Sequence, residues 1–296
     1  MSVLPSELAQ ALTAEIGPIR DAARLSGGMV ATSAVVMTDR GRFFVKWKLD
    51  APNGFFRLEA DGLDRLRAAA VLRVPRWVAF QDADDDEFPY LALEFVDPRQ
   101  PDDPIRFSRA LGEGLARLHH VRPQFKGFGL EIDNFLGSQP QRNTPTLSWA
   151  RFYRDHRLLP QIDRARRLGL IPAHRETLLG LLLNRLDSLY AGHNPSPSLI
   201  HGDLWAGNLL SAGNEPVLID PAVYYADREM EIAYMQLFKG FAGDVFDAYT
   251  TAYPLDPGYT ERRPLHQLYP LLIHLNHFGE QYGADVDAVC RHYVSC

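Results

Sequence analysis

The sequence predicts an α+β chain of two lobes, a small β-rich N-terminal part (residues 1–97) and a larger, mostly helical C-terminal part (98–296). Three observations predict it. Apolar runs of strand length, divided by turn residues, crowd the first hundred positions. A Pro- and Asp-rich stretch, DPRQPDDP at 97–104, then interrupts the chain as a linker would. Beyond it apolar residues recur at helical spacing, with only two short strands between the helices. A cleft between the two parts is the natural place for a ligand.

The elements follow in order. Leu8, Leu12 and Ile16 fall on one face of an amphipathic first helix. SAVVMT (33–38) and RFFVKW (42–47) flank the turn residues DRG and read as a hairpin. A helix near 54–70 carries Phe56, Leu63 and Leu66 on one side. PRWVAFQ (75–81) and YLALEFV (90–96) are two more strands. The acidic DADDDEFP between them lacks the Gly and terminal Glu of a calcium loop and reads as a solvated hairpin tip. After the linker, Phe107, Leu111, Leu115 and Leu118 mark a helix, and further helical segments lie near 147–168, 174–191, 228–250, 264–280 and 284–294.

Composition excludes several function classes. The net charge is −6, from 31 Lys and Arg against 37 Asp and Glu, and no basic cluster offers a nucleic-acid surface. No run approaches the eighteen apolar residues of a membrane span, and the N-terminus lacks the pattern of a signal peptide. The two cysteines, Cys290 and Cys296, cannot frame a disulfide fold of this size, so a cytoplasmic setting is expected and both read as free thiols. Oligomeric state is not legible.

The chemistry concentrates in LIHGDLWAGNLL (199–210) and EPVLIDPA (215–222). His201, Asp203, Asn208 and Asp220 stand where apolar strands end, so a β-element presents their side chains on one rim. A chance H-x-D-x4-N match has odds on the order of 1%. The spacing matches the catalytic loop of protein kinases, with a metal-binding Asp to follow. Asn208 and Asp220 supply hard oxygens for Mg2+. Asp203 is left to orient an attacking hydroxyl and take its proton. Lys46 in FFVKW is the expected cation for nucleotide phosphates, and Glu59, in the next helix, its ion-pair partner. Gly27 and Gly28 can bring backbone N–H groups to phosphate, although they also suit an ordinary turn. The backbone of Glu94, Phe95 and Val96, at the junction of the two parts, is the place to meet adenine.

LIHGDLWAGNLL, VLIDPAVYYADREMEIAYMQLF, FGE after LIHLNH, and NFLGSQPQRNTPTLSWARFYRDHRL resemble the fructosamine (ketosamine) kinase family, over nearly the whole chain. The resemblance implies a protein-kinase-like two-lobe fold. It implies an enzyme that uses ATP and Mg2+ to phosphorylate the third-carbon hydroxyl of ketosamines, the sugar adducts of amines, in deglycation repair. It carries the base onto Asp203, the Mg2+ ligands onto Asn208 and Asp220, and the phosphate-binding pair onto Lys46 and Glu59. Trp205 then falls beside the substrate. Tyr224 and Tyr225, read from the residues, either line a sugar pocket or support the metal loop, with Tyr225 taken as the substrate contact.

There are departures from the family pattern. The phosphate loop lacks the cysteine of some relatives, so no thiol switch is expected there. Asp227 stands where the YYGHRE version has His, which puts the charge of the substrate rim in question. Arg228 and Glu229 are expected to brace the loop from behind, and His274 and His277 to line the cleft or the core. Two other readings stay open: a related kinase of aminoglycosides, choline or another amino alcohol, and a nucleotide-binding pseudokinase. The second predicts loss of Lys46, Asp203 or Asp220, and none is lost.

Overall fold

The computed structural model describes residues 3–25, 30–83 and 88–294. Gly27 and Gly28, the tip of the acidic hairpin and Cys296 lie outside them. Helix α1 (Ser6–Ile16) leads into β1 (Ile19–Leu25), β2 (Thr32–Thr38) and β3 (Gly41–Trp47). Helix α2 (Phe55–Ala68) precedes β4 (Trp77–Gln81) and β5 (Tyr90–Glu94). The strands form one antiparallel sheet in the order β1-β2-β3-β5-β4.

Strand alternation sorts its side chains. Along β5, Tyr90 and Ala92 pack with Leu8, Leu12 and Ile16 of α1, whereas Leu91 and Leu93 join Phe56, Leu63 and Leu66 of α2 in the main core. On β3, Val45 and Trp47 belong to the α1 side. Lys46 is thereby left facing α2. That helix has no capping side chain of its own. Asp82, just beyond β4, supplies one: its Oδ1 accepts the N–H groups of Phe56 at 3.1 Å and Arg57 at 3.3 Å. A tertiary cap thus fixes the helix that carries Glu59.

The second part begins with α3 (Pro104–Leu118), capped by Asp103, whose Oδ1 accepts from Ile105 and Arg106. A hairpin follows, β6 (Asn134–Leu136) and β7 (Gln139–Gln141), which the sequence pattern did not reveal. The expected helix at 147–168 is α4 (Trp149–Tyr153) and α5 (Leu159–Arg167), joined by one π turn over Arg154–Leu158. Pro160 has no N–H for the His156 carbonyl, and the wider turn absorbs the loss.

Helix α6 (Ala173–Leu189) precedes the strands β8 (Ser198–Ile200), β9 (Leu209–Ala212), β10 (Glu215–Leu218) and β11 (Tyr224–Ala226). The helix expected at 228–250 is two, α7 (Glu229–Leu237) and α8 (Gly243–Ala252), broken where Gly240 takes φ +135°. Helices α9 (Tyr259–Phe278) and α10 (Gly283–Val294) end the chain. Pro264 and Pro270 lie inside α9. The buried Tyr153 hydroxyl spans the interruption near Pro270: it donates to the Leu265 carbonyl at 2.6 Å and accepts from the Tyr269 N–H at 3.2 Å. Among the described residues no helix is long and apolar enough to cross a membrane.

The strands around LIHGDLWAGNLL and EPVLIDPA pair differently from the simplest expectation. β8 pairs with β11, and β9 with β10, so the two apolar runs belong to two hairpin-like ladders rather than one. Backbone contacts tie the second ladder to segments on both sides of the junction at residue 97. Leu218 donates to the Arg73 carbonyl at 3.0 Å, and Arg99 donates to the Ser211 carbonyl at 2.8 Å. This stitching sets the end of β10, and with it Asp220, opposite β3.

Candidate active site

Asp203 and Asn208 lie in the loop from β8 to β9, and Asp220 follows β10. The Ile219 N–H bonds the Asn208 carbonyl at 3.1 Å, closing the base of the hairpin and bringing the two positions together. Asn208 gives its amide N–H to the Asp203 carbonyl at 2.8 Å and to Asp203 Oδ2 at 3.1 Å. Asp220 holds φ +54°, a left-handed conformation rare for a residue with a Cβ. The buried His201 links the strand ends: its Nε2 lies 2.9 Å from the Ile219 carbonyl, and its Nδ1 accepts the Asp203 N–H at 3.3 Å. Burial holds its pKa below the ordinary imidazole value, so it serves as a neutral brace.

Lys46 reaches across from β3. Its Nζ is 2.5 Å from Glu59 Oε1 and 2.8 Å from Asp220 Oδ1. Burial opposes the ammonium charge, but the two carboxylates outweigh it and raise the Lys46 pKa. Burial likewise pushes Glu59 up to about 7, against the pull of Lys46. Asp203 is also raised to about 7, by burial first, with the nearby Asp220 charge adding. A hydrogen bond from the Tyr234 hydroxyl to Asp203 Oδ1, 3.0 Å long, works in the opposite direction.

These groups share a cavity of about 1020 Å³. Lys46, Glu59, Asp203, Asn208, Asp220 and Trp205 all line it, under a wall of Phe238, Lys239, His274, His277 and Phe278. The His274 ring lies tilted against Phe238, with 4.2 Å between ring centres, and Gln139 Nε2 of the β6–β7 hairpin sits 3.0 Å from His277 Nδ1. The two histidines therefore line the cleft, and neither belongs to a cluster of three metal-ligating groups among the described residues.

The family model described as fructosamine kinase matches residues 1–295. The chain belongs to the fructosamine kinase family. It is 36% identical to a probable ketoamine kinase of Enterococcus faecium, over 90% of this chain and 93% of that one. A probable ketoamine kinase of Lactiplantibacillus plantarum is 37% identical over 91% and 92%. Among solved structures, one bearing the fructosamine-3-kinase name, from Thermobifida fusca, superposes with a TM-score of 0.87 at 34% identity, covering 98% of this chain and 99% of that one. The aminoglycoside phosphotransferase APH(4)-Ia, solved with AMP-PNP and hygromycin B, matches with a TM-score of 0.67 at 17% identity, over 99% and 100% of the two chains. That distant likeness establishes the protein-kinase-like fold.

Within this family fold, several expected site residues lie elsewhere. Tyr225 does not line the cavity. Strand alternation turns its ring edge-on against Phe125, while Tyr224 is buried under the Arg157 guanidinium, 3.8 Å from its ring centre. Glu94, Phe95 and Val96 do not line it either. The Glu94 carboxylate pairs with Arg76 at 3.0 Å and its N–H is held by the Arg76 carbonyl, while Phe95 packs under Arg42. Asp227 is buried and bonded to His193 at 2.6 Å, so it sets no charge on a substrate rim.

Arg228 and Glu229 do not brace the loop. Arg228 bonds Tyr249 and the carbonyls of Tyr253 and Pro254, and Glu229 bonds Arg262. Glu231, one helical position that sequence reasoning missed, does the bracing. Its carboxylate accepts the N–H groups of His201 at 3.2 Å and Gly202 at 2.8 Å, and His119 Nε2 lies 3.0 Å away. Burial would raise its pKa, but His119 and these N–H groups outweigh that and hold it low. An acidic residue amid the apolar EIAYM was the available signal.

Proposed function

We propose that the chain transfers the terminal phosphoryl group of ATP to the third-carbon hydroxyl of a ketosamine, a step of deglycation repair. One observation carries the proposal: Asp203, Asn208, Asp220 and the Lys46–Glu59 pair line one cavity large enough for nucleotide and sugar together. Family membership supports the substrate class. Nucleotide is proposed to lie between the parts spanning 1–97 and 98–296, with the N–H groups of Gly27 and Gly28 as proposed donors to the phosphates. Trp205, 38% exposed at the cavity mouth, is the proposed face for the sugar or amine.

The residues present fit Mg2+. Lys46 occupies one oxygen of the Asp220 carboxylate, and Asn208 directs its amide N–H to Asp203, which leaves its carbonyl oxygen as a hard donor. Bound by Asn208 and Asp220, the ion would neutralise charge on the phosphates. Lys46, held by Glu59, places its ammonium against the same phosphates. Asp203 accepts the hydroxyl hydrogen of the sugar, aligns its oxygen with the phosphorus, and takes the proton as the new bond forms. Phosphoryl transfer needs mostly positioning and charge stabilisation, and these groups supply both.

The test incubates the protein with ATP and Mg2+ and, separately, ribulosamine, fructosamine, kanamycin or choline, measuring ADP and product mass. Phosphorylated ketosamine is expected. Product from kanamycin or choline alone would replace the substrate class, and ATP binding without any product would favour a pseudokinase.

A further inference from the structure

A second cluster of metal-ligating groups lies away from the cleft, buried where α7 packs on α9 beside the turn that follows α6. His193 follows α6, Asp227 and Glu229 stand at the start of α7, and His266 is on α9. Asp227, Glu229 and His266 are each no more than 1% exposed, and the His193 side chain is 3% exposed. Two overlapping triples share Glu229: the ligand atoms of Asp227, Glu229 and His266, one from each, lie within 4.8 Å of one another, and so do those of His193, Glu229 and Asp256. His193 Nε2 lies 2.6 Å from Asp227 Oδ2 and 3.8 Å from Glu229 Oε2, and His266 Nε2 lies 3.5 Å and 3.6 Å from the same two oxygens. His266 Nε2 is fully buried, has no hydrogen-bond partner, and is aimed at this centre. A protein interior rarely leaves an imidazole nitrogen unsatisfied.

We propose that these four side chains form a binding site for a divalent transition-metal ion, zinc in the first instance. Bonds of about 2.0–2.2 Å to imidazole and carboxylate place tetrahedral ligand atoms roughly 3.3–3.5 Å apart. Three of these four separations, among the six edges of a tetrahedron, are within a few tenths of an ångström of that edge. The fourth, between His193 and Asp227, opens by about 0.8 Å to admit the ion. The outer partners are already in place. Asp256 Oδ2 is 3.5 Å from His193 Nδ1, the Tyr190 hydroxyl is 3.4 Å from His266 Nδ1, and Arg262 grips both oxygens of Glu229 at 2.8 and 2.9 Å. The Glu229 N–H holds Asp227 Oδ1 at 3.1 Å, leaving Oδ2 for the centre. Such partners orient ligands and set imidazole tautomers in metal sites. Two nitrogens and two oxygens suit zinc, whereas Mg2+ and Ca2+ favour oxygen-only sets. The ion pins the first turn of α7, two residues before Glu231, and so serves as a structural brace. The proposal is independent of the phosphotransfer reading.

The test uses the full chain, stripped with chelator, in excess MgCl2, titrated with ZnCl2 by calorimetry and with CoCl2 by visible absorption. One equivalent binds, Co2+ gives the intense bands of tetrahedral coordination, and the melting temperature rises on addition of ZnCl2. Asp256→Asn weakens Zn2+ roughly 10- to 100-fold, the range for loss of an outer partner. His266→Gln weakens it further, and Asp220→Asn leaves it unchanged. Absence of stoichiometric Zn2+ binding by the unaltered chain overturns the proposal however the variants behave. So does equal binding by a His266→Gln protein whose circular dichroism shows it folded.

Discussion

Replacing Tyr234 with Phe removes one hydroxyl, which donates to Asp203 Oδ1 at 3.0 Å. The bond favours the charged form of the carboxylate, so its loss raises the Asp203 pKa. A hydrogen bond to a charged group contributes about 1.5–3 kcal/mol. At 1.36 kcal/mol per unit, that is an upward displacement of roughly 1–2 pH units. Asp203 starts near 7, and it must be ionised to take a proton, so kcat/KM of the unaltered enzyme rises with pH through this region. In Tyr234→Phe the acid limb moves to higher pH, and the rate at pH 7 falls about 5- to 50-fold while the alkaline plateau is largely retained. The assay is ADP release with a ketosamine substrate across the neutral range, with melting temperature as a control for folding. A limb that stays in place, or moves to lower pH, refutes the assignment of this proton acceptor.

Three other outcomes follow from the geometry. Glu231→Gln offers an N–H2 where two backbone N–H groups need acceptors, so one buried donor loses its partner at a cost of about 1–3 kcal/mol; a lower melting temperature and reduced kcat, with ATP affinity preserved, are expected. Gly202→Ala places a Cβ about 2.1 Å from the Ala222 carbonyl oxygen at a residue with φ +85°, so turnover collapses even in protein that still folds. His193 has its pKa raised, since the bond to Asp227 outweighs burial. The stability that this pair contributes is present below the ordinary imidazole pKa and lost as pH rises through the folded-state value. In chelator, the melting temperature should therefore decline on that rise, and Asp227→Asn should abolish the slope.

Much of the fold was legible because its determinants are local. The face of α1, the β2–β3 hairpin and the apolar side of α2 each declare themselves within a few residues by period, turn chemistry or both. The motif residues were legible for a related reason: strand ends and a closed hairpin bring Asn208 and Asp220 together with little help from the rest of the chain. What escaped depends on distant partners. The cap on α2 comes from Asp82, the continuity of α9 from Tyr153, and the seat of the catalytic loop from Glu231 and His119. Neither Tyr224 nor Tyr225 lines the cavity, because strand alternation on β11 sends one ring under Arg157 and the other against Phe125. Sequence neighbours could not settle which of two adjacent tyrosines faces which side.

The most direct measurement is turnover of Asp203→Ala on a ketosamine, alongside its ATP affinity. Loss of a general base predicts a fall of about 10²- to 10⁴-fold in kcat, with ATP bound as tightly as before because Lys46, Glu59 and Asp220 are untouched. Retained turnover would contradict the role of Asp203, whatever else in the cleft proved correct.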